Sequence, residues 1–228
     1  MIHAKKIKVL MAEDHAVVRQ GLCCLLTSDG HFEIVAQART GREAVELAAT
    51  LQPDVILMDI AMPVLNGLEA TRQILAANPA ARVIILSAHS DDVYVERMSK
   101  AGVAGFLEKQ SSAEVLTKAI VTVAAGGTYF SPSIAKRLRE RQQHDLARDG
   151  VPKVGGPHLT SREIEVLQLV AEGQANKQVA ATLGISIKTV EKHRQHLMDK
   201  LNIHETAGLT RYAIAQGVVE SRVQLIVT

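Results

Sequence analysis

The chain has 228 residues, 47% of them hydrophobic, enough for one large or two small cores, and its longest apolar runs, such as 83–86, are far too short to span a membrane. The opening MIHAKKIKVLM lacks the long apolar core and cleavage site of a signal peptide, and the two cysteines, Cys23 and Cys24, are adjacent; no disulfide framework and no membrane contact are expected, and the cytoplasm is the expected location. Net charge is +2 but uneven, −2 over residues 1–130 and +4 over 131–228, which favours an anionic partner for the C-terminal half, although most of that excess lies in 131–155.

In chain order, an apolar run at 7–11 leads to Glu13-Asp14 and a helix period at 15–26. A second run, 34–38, precedes a helix at 41–51. The third, 55–58, delivers Asp59 at its end; a turn with Pro63 and Asn66-Gly67 follows, then a helix at 67–77. The fourth, 83–86, ends at Ser87 before a helix at 91–101. The fifth, 105–107, leads to Lys109 and a helix at 112–125. Five strand–helix units with continuous rather than alternating apolar strands predict a doubly wound, five-stranded parallel α/β sheet covered on both faces.

After Gly126-Gly127 the pattern changes. Residues 132–143 predict a charged helix, and 144–158, with Pro152, Gly155, Gly156 and Pro157, read as a linker. LTSREIEVLQLVAEG then opens an all-α domain of four helices. Thr160 and Glu163 fit a capping box, and Gly173 follows the last turn. A short helix at 176–183 ends at Gly184, a longer one at 186–201 begins at the N-cap Ser186, and a fourth covers 205–216. The predicted domains are 1–127, a linker at 128–157 and 158–228.

In a doubly wound sheet the ends of these strands meet at one edge. Glu13, Asp14, Asp59, Ser87 and Lys109 would then share a cleft. Three carboxylates repel one another, and a hard divalent cation with retained waters, Mg²⁺, relieves this. Neutralised by Mg²⁺ and Lys109, an incoming phosphoryl group is open to attack by a carboxylate. Such transfer depends on positioning and charge cancellation.

These residues resemble the receiver domain of bacterial response regulators over about 5–125. Glu13-Asp14 matches the family's acidic pair, Asp59 its phosphoacceptor, Ser87 its switch hydroxyl, Phe106 its switch aromatic and Lys109 its lysine, while DIAMPVLNGLEA fits the segment after the phosphoacceptor. The resemblance implies a flavodoxin-like fold, Mg²⁺ held at Glu13, Asp14, Asp59 and Ala61, and a cognate histidine kinase as phosphoryl donor. Ala61 and His89 stand where family members tune phosphoryl lifetime. Gln110 replaces the proline common after the lysine, and a non-proline cis bond costs about 3–4 kcal/mol.

In the third C-terminal helix, Ile187, Val190, Leu197 and Leu201 recur at core spacing, opposite Lys188, Glu191, Lys192, Gln195 and Asp199. A short helix, a tight turn at 183–185 and a polar-faced helix make a helix-turn-helix, whose second helix can enter the major groove. Residues 159–219 resemble the LuxR-type DNA-binding domain through LTSREIEVL, EGQANKQVA, LGISIKTVEKHRQHLMDKL and YAIAQGVV. That resemblance implies Glu191, Lys192 and Gln195 facing the groove and Asn176, Lys177, Lys188, Thr189, His193 and Arg194 near phosphates. No third ligand accompanies His193 and His196, so no metal site is expected there.

Together the halves resemble a response regulator of the NarL/FixJ type, which binds promoter DNA and forms a homodimer when phosphorylated, and is not an enzyme. A phosphatase using an aspartyl-phosphate intermediate, as in the haloacid-dehalogenase-like enzymes, would carry a second acid two residues beyond the nucleophile, where Ala61 stands. A regulator acting through protein contacts alone would retain no specific DNA.

Overall fold

A computed structural model describes residues 5–87, 101–146 and 159–220. His89, nearly all of the helix expected at 91–101 and the stretch 147–158 lie outside these residues. The chain divides into two compact units, Met1–Val151 and Pro152–Thr228.

The first unit runs β1 (Ile7–Ala12), α1 (Ala16–Asp29), β2 (Phe32–Ala38), α2 (Gly41–Leu51), β3 (Val55–Asp59), α3 (Gly67–Ala77), β4 (Val83–Ser87), β5 (Gly105–Glu108), α4 (Ala113–Ala124), β6 (Tyr129–Phe130) and α5 (Pro132–Leu146). The sheet is parallel, in the order β2-β1-β3-β4-β5-β6. Every residue of β3 and β4 is buried, as expected of inner strands covered on both faces. Alternate side chains serve opposite faces. Leu10, Ala12, Ile56, Met58, Val83, Ile85 and Phe106 pack with Ala44 and Ala48 of α2 and Ala70 and Ile74 of α3. Val9, Met11, Val55, Leu57, Ile84, Leu86 and Leu107 pack with Leu26 of α1 and with Leu116, Ala119, Ile120 and Val123 of α4.

The sheet has six strands rather than the five expected. Gly126, at φ +90°, turns the chain after α4, and Gly127 lies so close to Thr122 that a Cβ would stand 3.1 Å from its carbonyl oxygen. The returning Tyr129 N–H donates to Ala104 O (2.9 Å) and the Ser131 N–H to Phe106 O (3.1 Å). A strand of two residues is too short to show a period. Ile134, in the segment expected to be a linker, is fully buried in the same cluster as Phe106, with Phe130 and Leu138 packed against it. The first turns of α5 therefore belong to the first unit's core.

In the loop after β3, Val64 has φ +70°, a left-handed conformation that costs a β-branched residue roughly 1–3 kcal/mol. Asparagine tolerates this region. Val64→Asn is expected to stabilise the fold by about 1 kcal/mol, read as a higher urea midpoint at unchanged slope; an unchanged or lower midpoint would show that Val64's side-chain packing outweighs the strain.

The second unit comprises α6 (Ser161–Ala171), α7 (Asn176–Leu183), α8 (Ile187–Leu201) and α9 (Thr206–Ala215). Thr160 and Glu163 form the expected capping box, and Gly173 and Gly184 take positive φ beyond the helix ends. Val166, Leu167, Leu169 and Val170 of α6 are buried, as are Val179 of α7, Val190 and Leu197 of α8, and Leu209 and Ala213 of α9. Ile187, expected to face the core, is 45% exposed; it is the first residue of α8. The Lys200 ammonium meets the Glu163 carboxylate at 2.7 Å, fastening the last turn of α8 to the first turn of α6. No helix among the described residues is long and apolar enough to cross a membrane.

Candidate functional site

The strand order reverses between β1 and β3, and in open α/β sheets ligands bind beyond the carboxyl ends of the strands at such a switch point. Glu13 and Asp14 follow β1 there, and Asp59 ends β3. Ser87 ends β4, one residue past Leu86, the partner of Asp59 in register. Lys109 follows β5, its N–H donating to Ser87 O at 2.8 Å. The expected receiver residues Glu13, Asp14, Asp59, Ser87 and Lys109 thus share one sheet edge. Phe106 is buried beneath it, in register opposite Phe130.

Glu13 and Asp59 are almost fully buried. The Lys109 ammonium bridges them, 2.8 Å from Glu13 Oε2 and 2.9 Å from Asp59 Oδ2. Burial and the Glu13 charge push the Asp59 carboxyl up to about 6, against the charge and hydrogen bond of Lys109 and the backbone N–H of Ala61. Asp59 is still mostly ionised at pH 7 and is more basic than an ordinary carboxylate. Burial pulls the Lys109 ammonium down, but Glu13 and Asp59 outweigh it and raise its pKa, so it stays charged. Asp59 is thus a buried, unusually basic carboxylate held beside a fixed cation. The Lys109–Gln110 peptide is trans, like every peptide bond described.

Two participants carried no clear sequence signal. Arg19, buried in α1, donates to the carbonyls of Glu13 (2.7 Å) and Asp14 (3.2 Å), fixing the backbone of the acidic pair. His15 places Nδ1 3.0 Å from Glu13 Oε1 and 2.8 Å from Asp14 Oδ1. Its position next to the acids was the available clue. Potential ligand atoms of Glu13, Asp14, His15 and Asp59 all lie within 4.8 Å of one another, the one such cluster among the described residues. This oxygen-rich set suits a hard divalent cation.

On α8, Lys188, Glu191, Lys192 and Gln195 form an exposed stripe, with Gln195 Nε2 donating to Asp199 Oδ1 at 2.8 Å. Thr189 is engaged at the helix start, its hydroxyl 2.8 Å from that of Ser186. Lys177 is exposed on α7. Asn176 and Arg194, both expected near phosphates, are bonded to each other at 2.7 Å, and Arg194 also donates to Thr206 Oγ1 at 3.2 Å. Arg194 therefore ties the starts of α7 and α9 to α8. Burial, then the Arg162 charge, holds His193 below its ordinary pKa, so at pH 7 it is neutral and can offer a hydrogen bond but no charge.

Residues 9–121 match the family described as response regulator receiver domain, and residues 157–213 match bacterial regulatory proteins, luxR family. The transcriptional regulatory protein DegU of Brevibacillus brevis is 35% identical over 232 residues, spanning 97% of this chain and 98% of its own. MctR of Rhizobium johnstonii is 37% identical over 219 residues, spanning 96% and 98%. Among solved structures, a LuxR-family two-component response regulator from Aurantimonas sp. SI85-9A1 superimposes with a TM-score of 0.58 at 31% identity, over 61% of this chain and 99% of that one. ChrA, the response regulator of a heme-sensing two-component system, does so at 0.52 and 31%, over 95% and 100%.

Proposed function

Because this chain belongs to the two-component response regulators that join a receiver domain to a LuxR-type DNA-binding domain, we propose that Asp59 accepts a phosphoryl group from a cognate histidine kinase, and that phosphorylation drives homodimerisation on promoter DNA. The observation that carries this reading is the buried Asp59 carboxylate at the sheet's switch point, 2.9 Å from the Lys109 ammonium and clustered with Glu13 and Asp14. Promoter DNA as the target places the protein in the cytoplasm.

In the proposed step an Asp59 Oδ forms the new bond to phosphorus. The bond from phosphorus to the donor nitrogen breaks, and its electron pair leaves with the imidazole. Glu13, Asp14, Asp59 and Ala61 are the residues to hold Mg²⁺, which when bound neutralises charge on the transferring group. Lys109 stays protonated and moves from the Asp59 carboxylate to a phosphoryl oxygen, while the Ser87 hydroxyl donates to another. Phe106, in register opposite Phe130 and in the same buried cluster as Ile134, is proposed to connect a rearrangement at the site to the start of α5. The receiver, expected at 1–127, takes in β6 and the first turns of α5 as well; the rest of the chain up to 157 is the proposed connecting segment, and 158–228 the proposed DNA-binding unit.

In the DNA-binding unit, Glu191, Lys192 and Gln195 are proposed to face base edges, with Lys177, Lys188, Thr189 and His193 near phosphates; Asn176 and Arg194 reach the backbone only as a bonded pair. Sequencing the DNA fragments retained by phosphorylated protein identifies the operator, and failure to enrich any sequence would leave a regulator acting through protein contacts. On that operator Lys192→Ala is expected to weaken binding by about 1–3 kcal/mol if Lys192 reads a base. Unchanged affinity at matched salt would remove Lys192 from the interface.

A further inference from the structure

We propose that His15 is a direct ligand of the metal at this site, supplying an imidazole nitrogen that adapts it to first-row transition ions as well as to Mg²⁺. The inference rests on the reading of Glu13, Asp14 and Asp59 as a metal site and adds a residue to it.

The geometry carries the argument. On an octahedron with metal–ligand bonds of about 2.1 Å, neighbouring ligand atoms stand about 3.0 Å apart and opposite ones about 4.2 Å. His15 Nδ1 lies 2.8 Å from Asp14 Oδ1 and 3.0 Å from Glu13 Oε1, in each case the spacing of two neighbouring octahedral ligand atoms. The Asp59 atom completes the set within 4.8 Å, which small side-chain movements bring into range. The charge balance points the same way. Three carboxylates face one ammonium, and beyond their ion pairs with Lys109 the buried Glu13 Oε2 and Asp59 Oδ2 find no hydrogen-bond partner.

His15 is itself 54% exposed, at the rim of the buried acids. Nδ1 is the ring atom that meets the carboxylates, so a cation entering between them would displace any proton on Nδ1 and take its lone pair. Oxygen ligands and waters suit Mg²⁺, whereas an imidazole suits iron, nickel or zinc. A set of carboxylates plus one imidazole therefore narrows the usual preference for Mg²⁺. Arg19 holds the backbone that carries the acids, so substituting His15 leaves their frame in place.

Pulsed electron paramagnetic resonance on Mn²⁺ bound to the full-length protein tests this directly. Coupling to a directly bound ¹⁴N is expected in the wild type and is expected to vanish in His15→Ala, which still binds Mn²⁺ through its carboxylates. In competition titrations His15→Ala is expected to weaken Ni²⁺ binding at this site by at least about tenfold and Mg²⁺ binding much less. Mn²⁺ bound at the acids with no nitrogen coupling in the wild type would overturn the proposal while leaving the carboxylate site intact. Mn²⁺ binding that is indifferent to Asp14→Asn would overturn both.

Discussion

Asp59→Asn is expected to abolish phosphoryl uptake and, with metal removed, to make the protein more stable at neutral pH. In the folded chain burial and the Glu13 charge raise the Asp59 carboxyl from 3.8 to about 6. A raised carboxyl pKa means that the folded state binds the proton more tightly than the unfolded state. Stability is therefore lost as pH rises from 3.8 to about 6 and stays lost at pH 7. Each pKa unit corresponds to about 1.4 kcal/mol, so the ionised Asp59 costs the fold about 1–3 kcal/mol. Asparagine has the same shape and no charge. In EDTA at pH 7 a urea titration should place Asp59→Asn above the wild type by that amount, with a smaller gap at pH 5. Added Mg²⁺ should narrow it further, because a cation that binds only the folded wild type stabilises it by mass action. An Asp59→Asn variant less stable than the wild type at pH 7 in EDTA would mean that the contact with Lys109 outweighs burial.

Gly67→Ala is expected to be a strongly damaging single-methyl change in the first unit. Gly67 opens α3, with Asn66 as N-cap accepting from the Glu69 N–H at 2.9 Å, and its own N–H donates to Ile60 O at 2.8 Å. A Cβ there would stand 1.9 Å from the carbonyl oxygen of Asp59. The obstacle is backbone, and it belongs to the phosphoacceptor candidate itself. Overpacking a core typically costs about 1–3 kcal/mol and occasionally more; with no side chain free to yield, about 3 kcal/mol or more is expected, together with displacement of the Asp59 carboxylate. Gly21→Ala is the control. Gly21 lies in the interior of α1 with nothing within 4 Å of its added Cβ, so there alanine should stabilise by about 0.5–1 kcal/mol through helix propensity. The same substitution is thus expected to carry opposite signs at the two glycines, read as urea midpoints. A mild effect at Gly67 would show that the loop between β3 and α3 can move away from the strand.

The buried strands were legible because they are covered on both faces, which writes them as unbroken apolar runs, and because a reactive group ends or directly follows each of four of them. Helix starts were legible where a side chain caps them, as Thr160 and Ser186 do. What escaped depends on contacts between distant segments. β6 exists because two glycines return the chain to β5, and Ile134 is core because that return brings the start of α5 into the cluster that holds Phe106. The exposure of Ile187, at the first position of α8, is not something helical periodicity encodes. The bond between Arg194 and Asn176 joins residues 18 apart in sequence, and neither residue type distinguishes a phosphate contact from a brace within the motif. His15 stood beside the acids, but only its distances to their oxygens suggest the role proposed for it.

Binding of the selected operator fragment by full-length protein, before and after treatment with acetyl phosphate and Mg²⁺, tests the central claim most directly when intact mass is read on the same samples. The wild type is expected to gain one phosphoryl group and bind the fragment more tightly, whereas Asp59→Asn gains neither mass nor affinity under identical treatment. An Asp59→Asn protein that is phosphorylated to the same extent, or a phosphorylated wild type whose affinity for the fragment is unchanged, would contradict it.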